Sequence, residues 1–283
     1  MTIKLIAIDM DETFLRTDKT YDIPQFKRIL SAMKKRNTIV CIASGNSYHK
    51  LEDYFDEDDK DWLYFAGDNG NYIVKDHQML RSVGIETTTL ASIIDFMDDF
   101  EGYHITMSVG TTTYFREEEG PIFDMVSRYN NNITIVNSFD EIPDTESVVK
   151  IAIYSEHSLA QMKTLVRIVN QRYEDISAVT SGDSWLDLYH VNGGKGSAIQ
   201  YLQAKYDITP EETIVFGDSL NDASMMKHAH YNIAMGNADA DLVVDCHYQI
   251  GNNNDQSVLA ILNQYLETDN LDFMAQHRTK KKF

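Results

Sequence analysis

The 283-residue chain predicts an α/β fold, a parallel sheet flanked by helices and interrupted by an inserted α+β unit. Short apolar runs rich in branched residues alternate with helical segments at both ends of the chain, the pattern of βαβ units. Several of these runs stop at polar groups: Ile3–Ile8 at Asp9, Ile39–Ala43 at Ser44-Gly45 and Ile214–Phe216 at Gly217-Asp218. From about residue 83 the texture shifts to helices alternating with hairpin-like strands, and the βα rhythm resumes after Lys195.

In the first third, the strand at 3–8 precedes a helix near 24–36 opened by Pro24, a strand at 38–43 and the apolar run Trp62–Ala66. Asn69-Gly70 is a strong reverse-turn signal, so the chain doubles back there. The middle segment predicts helices at 88–100, 119–130 and 157–173, with strands at 104–107, 133–136 and 148–153. A hairpin from Ala178 to Tyr189 turns at Gly182-Asp183, which makes the inserted unit antiparallel. The last part predicts helices at 195–206, 220–229 and 255–267, and strands at 213–216, 232–235 and 242–244. The division is therefore core 1–82, insertion 83–190 and core 191–283. The tail from His277, with Lys280-Lys281-Lys282, reads as a frayed end.

A net charge of −19 argues against nucleic acid or an anionic membrane as partner. An anionic small substrate then needs local positive charge from a metal, a lysine or helix N-termini. Cys41 and Cys246 lie far apart and read as reduced thiols, and neither a signal peptide nor a membrane span is evident, so the expected location is the cytoplasm. Nothing in the sequence fixes an oligomeric state.

Alternation along a strand sends Asp9 and Asp11 the same way. Two such carboxylates repel unless a cation or a shared proton lies between them, and Mg²⁺ favours hard oxygen ligands of this kind. Ligands of open α/β sheets bind at the carboxyl ends of the strands, so Asp9, Asp11, Ser44 and Asp218 should surround one crevice. Gly45 permits close approach of backbone N–H groups to an anion, and the Ser44 hydroxyl can donate. Asn221-Asp222 opens the helix after Asp218, and Lys195 within Gly193–Ser197 brings a cation to another helix start.

Competing motifs fail. A Walker A loop would need Gly at 189 and Ser or Thr at 196, where Tyr189 and Gly196 stand. The acidic run Asp56–Asp61 lacks the glycine and the distal glutamate of a calcium loop. His49, His228 and His230 have no metal spacing, and Ser181-Gly182-Asp183-Ser184 reads as a hairpin turn.

These motifs, in this order, resemble the haloacid dehalogenase-like phosphatases, specifically the Cof-type group with a large inserted cap. Asp9-Met10-Asp11-Glu12-Thr13 is similar to that family's D-x-D-G-T, Ala43-Ser44-Gly45-Asn46 to A-[ST]-G-R, Lys195 to the third-motif lysine and Gly217–Asp222 to G-D-x-x-N-D, followed by Ala234–Ala238. The resemblance implies a Rossmann-like core with an α+β cap and Mg²⁺-dependent hydrolysis of small phosphorylated metabolites such as sugar phosphates or a phosphorylated cofactor. It implies Asp9 as nucleophile, forming an aspartyl-phosphate, and Asp11 as acid and base. Mg²⁺ would be held by Asp9, the Asp11 carbonyl and Asp218. The phosphoryl group would be held by Ser44, Gly45, Lys195, Asn221 and the Met10 backbone, with Asp222 in support. A phosphomutase or a weakly active phosphometabolite-binding regulator would share this core.

Glu12 stands where the family has glycine, and Asn46 where it has arginine. Each negative charge of a phosphate about 8 Å from Glu12 would meet a repulsion of about 1 kcal/mol at an effective dielectric near 40. If the loop is helical, Arg16 is placed to pair with Glu12.

Overall fold

Leu5-Ile6-Ala7-Ile8 carries no polar alternation because all of it is buried, with apolar clusters on both faces. Ile6 and Ile8 pack with Phe14, Phe26 and Tyr265, whereas Leu5 and Ala7 pack with Ile199, Leu202 and Met225. The computed structural model describes residues 2–181 and 184–279. Its strands in chain order begin with β1 (Leu5–Ile8), β2 (Ile39–Ala43), β3 (Leu63–Gly67), β4 (Tyr72–Lys75) and β5 (Gln78–Ser82). Next come β6 (Tyr103–Ser108), β7 (Thr113–Phe115), β8 (Ile133–Ile135), β9 (Lys150–Ser155), β10 (Ile176–Ser181) and β11 (Trp185–His190). The last are β12 (Thr213–Gly217), β13 (Tyr231–Ala234) and β14 (Tyr248–Gln249).

One sheet has the order β14-β13-β12-β1-β2-β3-β4-β5, parallel except for β4 and β5 at its edge. The other, β10-β11-β9-β6-β7-β8, forms the cap with its own apolar cluster around Ile93, Met107, Ile153 and Leu188. The fold is thus a parallel-sheet α/β core with an inserted α+β cap. Helix Ile23–Lys35 begins where Asp22 accepts a bond from the Gln25 amide at 2.9 Å, and it buries Phe26, Ile29, Leu30 and Met33 along one stripe.

Several local expectations differ from what is found. Residues 242–244 lie in helix Ala240–Asp245, started by Asp239, whose side chain accepts from the Asp241 amide; the last strand is β14 instead. The cap sheet is not wholly antiparallel, since β7 and β8 run parallel. The helix expected at 220–229 is two short turns, Leu220–Asp222 and Ala223–Met226, and that expected at 119–130 spans only Pro121–Ser127. The tail is docked as far as it is described: Arg278 bridges Tyr248, and the Thr279 amide donates to the His247 carbonyl at 3.0 Å. Lys280-Lys281-Lys282 and the turn Gly182-Asp183 lie outside the described residues. Cys41 and Cys246 are free and buried, and burial pushes both thiols up to about 12. Among the described residues, no helix is long and apolar enough to cross a membrane.

The Asn69-Gly70 turn does more than reverse the chain. Gly70 has φ of +81°, and a Cβ there would lie 2.8 Å from the Gly194 carbonyl oxygen and 3.0 Å from the Lys195 Cα. Asn71 Oδ1 also accepts from the Gly194 amide at 2.9 Å, so this turn seats the start of helix Gly194–Tyr206. Gly70→Ala adds a left-handed strain to an overpacked contact and should lower stability by about 2–4 kcal/mol. Urea unfolding checks this; an unchanged midpoint would show that the contact yields freely.

Candidate active site

The tips of β1, β2 and β12 are adjacent because those strands pair in register, Ile8 opposite both Ile42 and Phe216. Asp9 follows β1, Ser44 follows β2 and Asp218 follows β12, so one crevice edge carries all of them. The turn Met10–Phe14 closes with Phe14 N–H on the Asp9 carbonyl at 3.2 Å and Leu15 N–H on the Met10 carbonyl at 2.9 Å. It is no regular helix: Glu12 adopts φ of +57°. The expected Glu12–Arg16 pair is therefore absent. Arg16 donates to Thr20 Oγ1, whereas Glu12 Oε2 accepts from Thr17 Oγ1 and Asn253 Nδ2, each at 3.2 Å. Asn46 Nδ2 donates to Asp11 Oδ2 at 2.8 Å, so Asn46 is a partner of Asp11 and not merely a missing charge.

Lys195 is fully buried and donates to Asp9 Oδ1 and Asp222 Oδ1, both at 2.6 Å. Asp222 Oδ2 accepts the backbone amides of Asp218 at 2.9 Å and Ser219 at 3.1 Å. That is why the chain turns tightly here in place of a long helix. Asp218 Oδ1 accepts from Thr13 Oγ1 at 2.9 Å, tying the tip of β12 to the turn after β1. Burial, reinforced by Asp222 and Asp11 and opposed by Lys195, raises the Asp9 pKa to about 7. Asp218 is held well above the carboxylate range by burial and then by the Asp9 and Asp222 charges. Burial works against the Lys195 ammonium, but Asp222 and Asp9 outweigh it and lift its pKa.

Asp9, Asp218 and Asp222 bring carboxylate oxygens within 4.8 Å of one another. Asp222 is occupied by Lys195 and two amides, which leaves Asp9 and Asp218 to face each other. With all three ionised, these carboxylates would exceed the one ammonium by two negative charges, and the donors are hard oxygens. This set fits a divalent cation of the Mg²⁺ type.

Above the site lies a cavity of about 350 Å³ between core and cap. Asp9, Asp11, Ser44, Gly45, Asp218 and Asn221 line its floor; Tyr129, Tyr154 and Trp185 line the cap side. The Lys195 and Asp222 side chains stand behind the floor, and Met10 is buried in the core cluster, where only its backbone is left for a ligand. Asn221 Nδ2 reaches toward the cap side of the crevice, donating to Asn69 Oδ1 at 3.0 Å and Ser181 Oγ at 3.4 Å. Ser181 and Ser184 thus line the cavity and are not solely turn residues.

A buried polar clasp joins cap to core that sequence reasoning did not find. Lys150 donates to the Gly45 carbonyl and pairs with Asp68 Oδ1 at 3.1 Å; Ser108 Oγ donates to Asp68 Oδ2 at 2.9 Å. Asn69 Nδ2 donates to Asp187 Oδ2 at 2.7 Å. Lys150 and Asp187 interrupt otherwise apolar strand runs, and that was the available signal.

The chain belongs to the haloacid dehalogenase-like hydrolases, whose sequence profile matches residues 6–262. It is similar to the Escherichia coli 5-amino-6-(5-phospho-D-ribitylamino)uracil phosphatase YbjI, 26% identical over 94% of this chain and 97% of that protein. The Bacillus subtilis phosphatase YitU, named for the same compound, is 23% identical over 92% of this chain and 97% of its own length. The crystal structure of SMU.1108c from Streptococcus mutans superposes with a TM-score of 0.87 at 29% identity, covering 94% of this chain and all of that one.

Asp222→Ala would strand the Lys195 charge and two buried amides, and should lower stability by about 3–5 kcal/mol. Chemical denaturation measures it; a loss below about 1 kcal/mol would mean that the lysine finds another partner.

Proposed function

We propose that the protein is a Mg²⁺-dependent phosphatase of small phosphorylated metabolites, working through an aspartyl-phosphate on Asp9. The observation that carries this reading is the opposed pair Asp9 and Asp218, backed by the Lys195–Asp222 pair and facing a cavity roofed by the cap. Residues 1–82 and 191–283 form the catalytic core in this reading, and 83–190 the cap. The buried free thiols fit a reducing cytoplasm.

Lys195 holds the Asp9 carboxylate in one rotamer, aimed at the cavity. An Asp9 oxygen attacks phosphorus as the bond to the leaving alcohol breaks, and Asp11 gives that alcohol a proton. Asp11 then takes a proton from water, which attacks the aspartyl-phosphate and releases phosphate. The Ser44 hydroxyl, the Met10 and Gly45 backbone and Asn221 hold the phosphoryl oxygens while charge shifts among them. Asp9, Asp218 and the Asp11 carbonyl would hold Mg²⁺, which when bound neutralises charge between the carboxylates and the phosphate dianion.

Tyr129, Tyr154 and Trp185 form an aromatic wall, with Trp185 ring centroids 5.6 Å from Tyr129 and 5.3 Å from Tyr154. Such a wall suits a flat ring. The names of the E. coli and B. subtilis relatives specify a uracil on a phosphorylated ribityl chain, and the reading extends to a substrate of that kind.

Asp9→Asn should reduce phosphate release to background while the far-UV spectrum and melting temperature stay near wild type. Substantial turnover by the folded variant would end the covalent mechanism. Chelation should abolish activity, and Mg²⁺ at about 100 times its Kd should add about 2.7 kcal/mol of stability. A melting temperature indifferent to Mg²⁺ would contradict the metal site. Trp185→Ala should raise KM for a ring-bearing substrate by about tenfold, through the loss of roughly 1.4 kcal/mol of stacking, while a small acyclic phosphate keeps its KM. Equal effects on both would remove the wall from specificity.

A further inference from the structure

Lys19 is a charged residue of the cavity that the mechanism above does not use. Its Nζ donates to Asp11 Oδ1 at 2.6 Å, while Asn46 Nδ2 holds Oδ2 at 2.8 Å. We propose that Lys19 is a positioning residue for Asp11, aiming its carboxyl group at the departing oxygen and supplying from another loop the cation that position 46 lacks. The proposal rests on the reading of Asp11 as acid and base.

Local structure delivers Lys19 to this place. Arg16 N–H donates to the Thr20 carbonyl and Lys19 N–H to the Arg16 carbonyl, both at 2.8 Å, closing a tight turn over residues 16–20. Lys19 sits in it at φ of +65°, a conformation that costs a non-glycine residue free energy and is retained where the surroundings enforce it. Neighbouring Asp18 does not compete for the ammonium, because its Oδ1 accepts from the Thr20 amide at 3.0 Å and the Thr20 hydroxyl at 2.6 Å. Burial works against the Lys19 charge, yet Asp11 outweighs it and holds the ammonium above its ordinary range.

The pair does little for stability. Lys19 and Asp11 side chains keep 41% and 30% of their surface exposed, and ion pairs that wet contribute little to folding. Its effect is on direction. Asp11 stands in a turn, and two donors on its two oxygens fix the plane of the carboxyl group. An acid or base must lie within hydrogen-bond reach of the proton it moves. A protonated carboxyl still accepts from Asn46 on its other oxygen, so the amide keeps its hold through the proton transfer.

The test compares p-nitrophenyl phosphate with benzyl phosphate, whose rings are similar in size but whose leaving oxygens differ in their need for a proton. Values of kcat/KM report phosphoryl transfer to Asp9, the step in which the leaving group departs. Lys19→Met should lower kcat/KM for benzyl phosphate by about tenfold or more, and for p-nitrophenyl phosphate by less than about threefold. Lys19→Arg should restore most of the loss, with melting temperatures unchanged in both variants. Asn46→Ala should give the same selectivity through the other oxygen. An equal loss on both substrates, carried in KM, would make Lys19 a phosphate ligand and overturn the proposal; no loss on either would make the pair idle and overturn it too. Both outcomes leave the phosphatase reading intact, whereas a wild-type protein that releases phosphate from neither ester overturns both.

Discussion

The site depends on one buried ammonium. Lys195 has no exposed surface, so its charge must be met within the protein, and Asp9 and Asp222 meet it from the tips of two adjacent strands. Satisfying it fixes the rest. Asp222 must fold its second oxygen back onto the amides of Asp218 and Ser219, which bends the chain after β12 and sets Asp218 opposite Asp9. The helix that carries Lys195 must start at one depth, and the Gly70 turn and Asn71 side chain hold it there. A buried ion pair is weak evidence for stability in itself, since desolvation offsets much of its attraction. Here its consequence is geometric: the surplus carboxylate charge faces the cavity and not the core.

That surplus explains why so acidic a protein can receive an anion. The floor of the cavity favours a divalent cation, and the lysines that line the cavity among the described residues, Lys19 and Lys150, are already paired at the rim and in the cap clasp. The clasp reaches the floor through Asp187, Asn69 and Asn221 in succession. Cap position and the orientation of an expected phosphate ligand are therefore joined by hydrogen bonds between nearly buried groups.

The sequence was most legible where local rules govern. The apolar runs stopping at Asp9, Ser44 and Asp218 marked strand ends correctly, because a strand buried on both faces leaves no polar residue within it. The turn at Asn69-Gly70 was equally plain. Errors arose where a side chain overruled propensity: the Asp239 cap turned Leu242-Val243-Val244 into helix, and Asp222 shortened the helix after β12. The cap clasp was not legible because it joins segments distant in sequence where whole elements meet, and the Lys19 contact, though only eight residues from Asp11, was not because it depends on the left-handed turn at Lys19. Glu12 illustrates the limit, since its charge was visible but its left-handed backbone, and hence its partners Thr17 and Asn253, were not.

The chain leaves the core sheet at the end of β5 and comes back beside it at Asn192, ahead of helix Gly194–Tyr206, and the Arg81 guanidinium donates to the Asn192 carbonyl at 3.1 Å and Ser197 Oγ at 2.7 Å. Exit and entry points are thus stitched together by a single side chain. A hundred residues hang from a gap that a short loop would close, so the core meets almost no entropic difference between a large insert and a small one. A different insert could close on the same Arg81 staple, but it would also have to rebuild the Asp187–Asn69–Asn221 chain that reaches the floor.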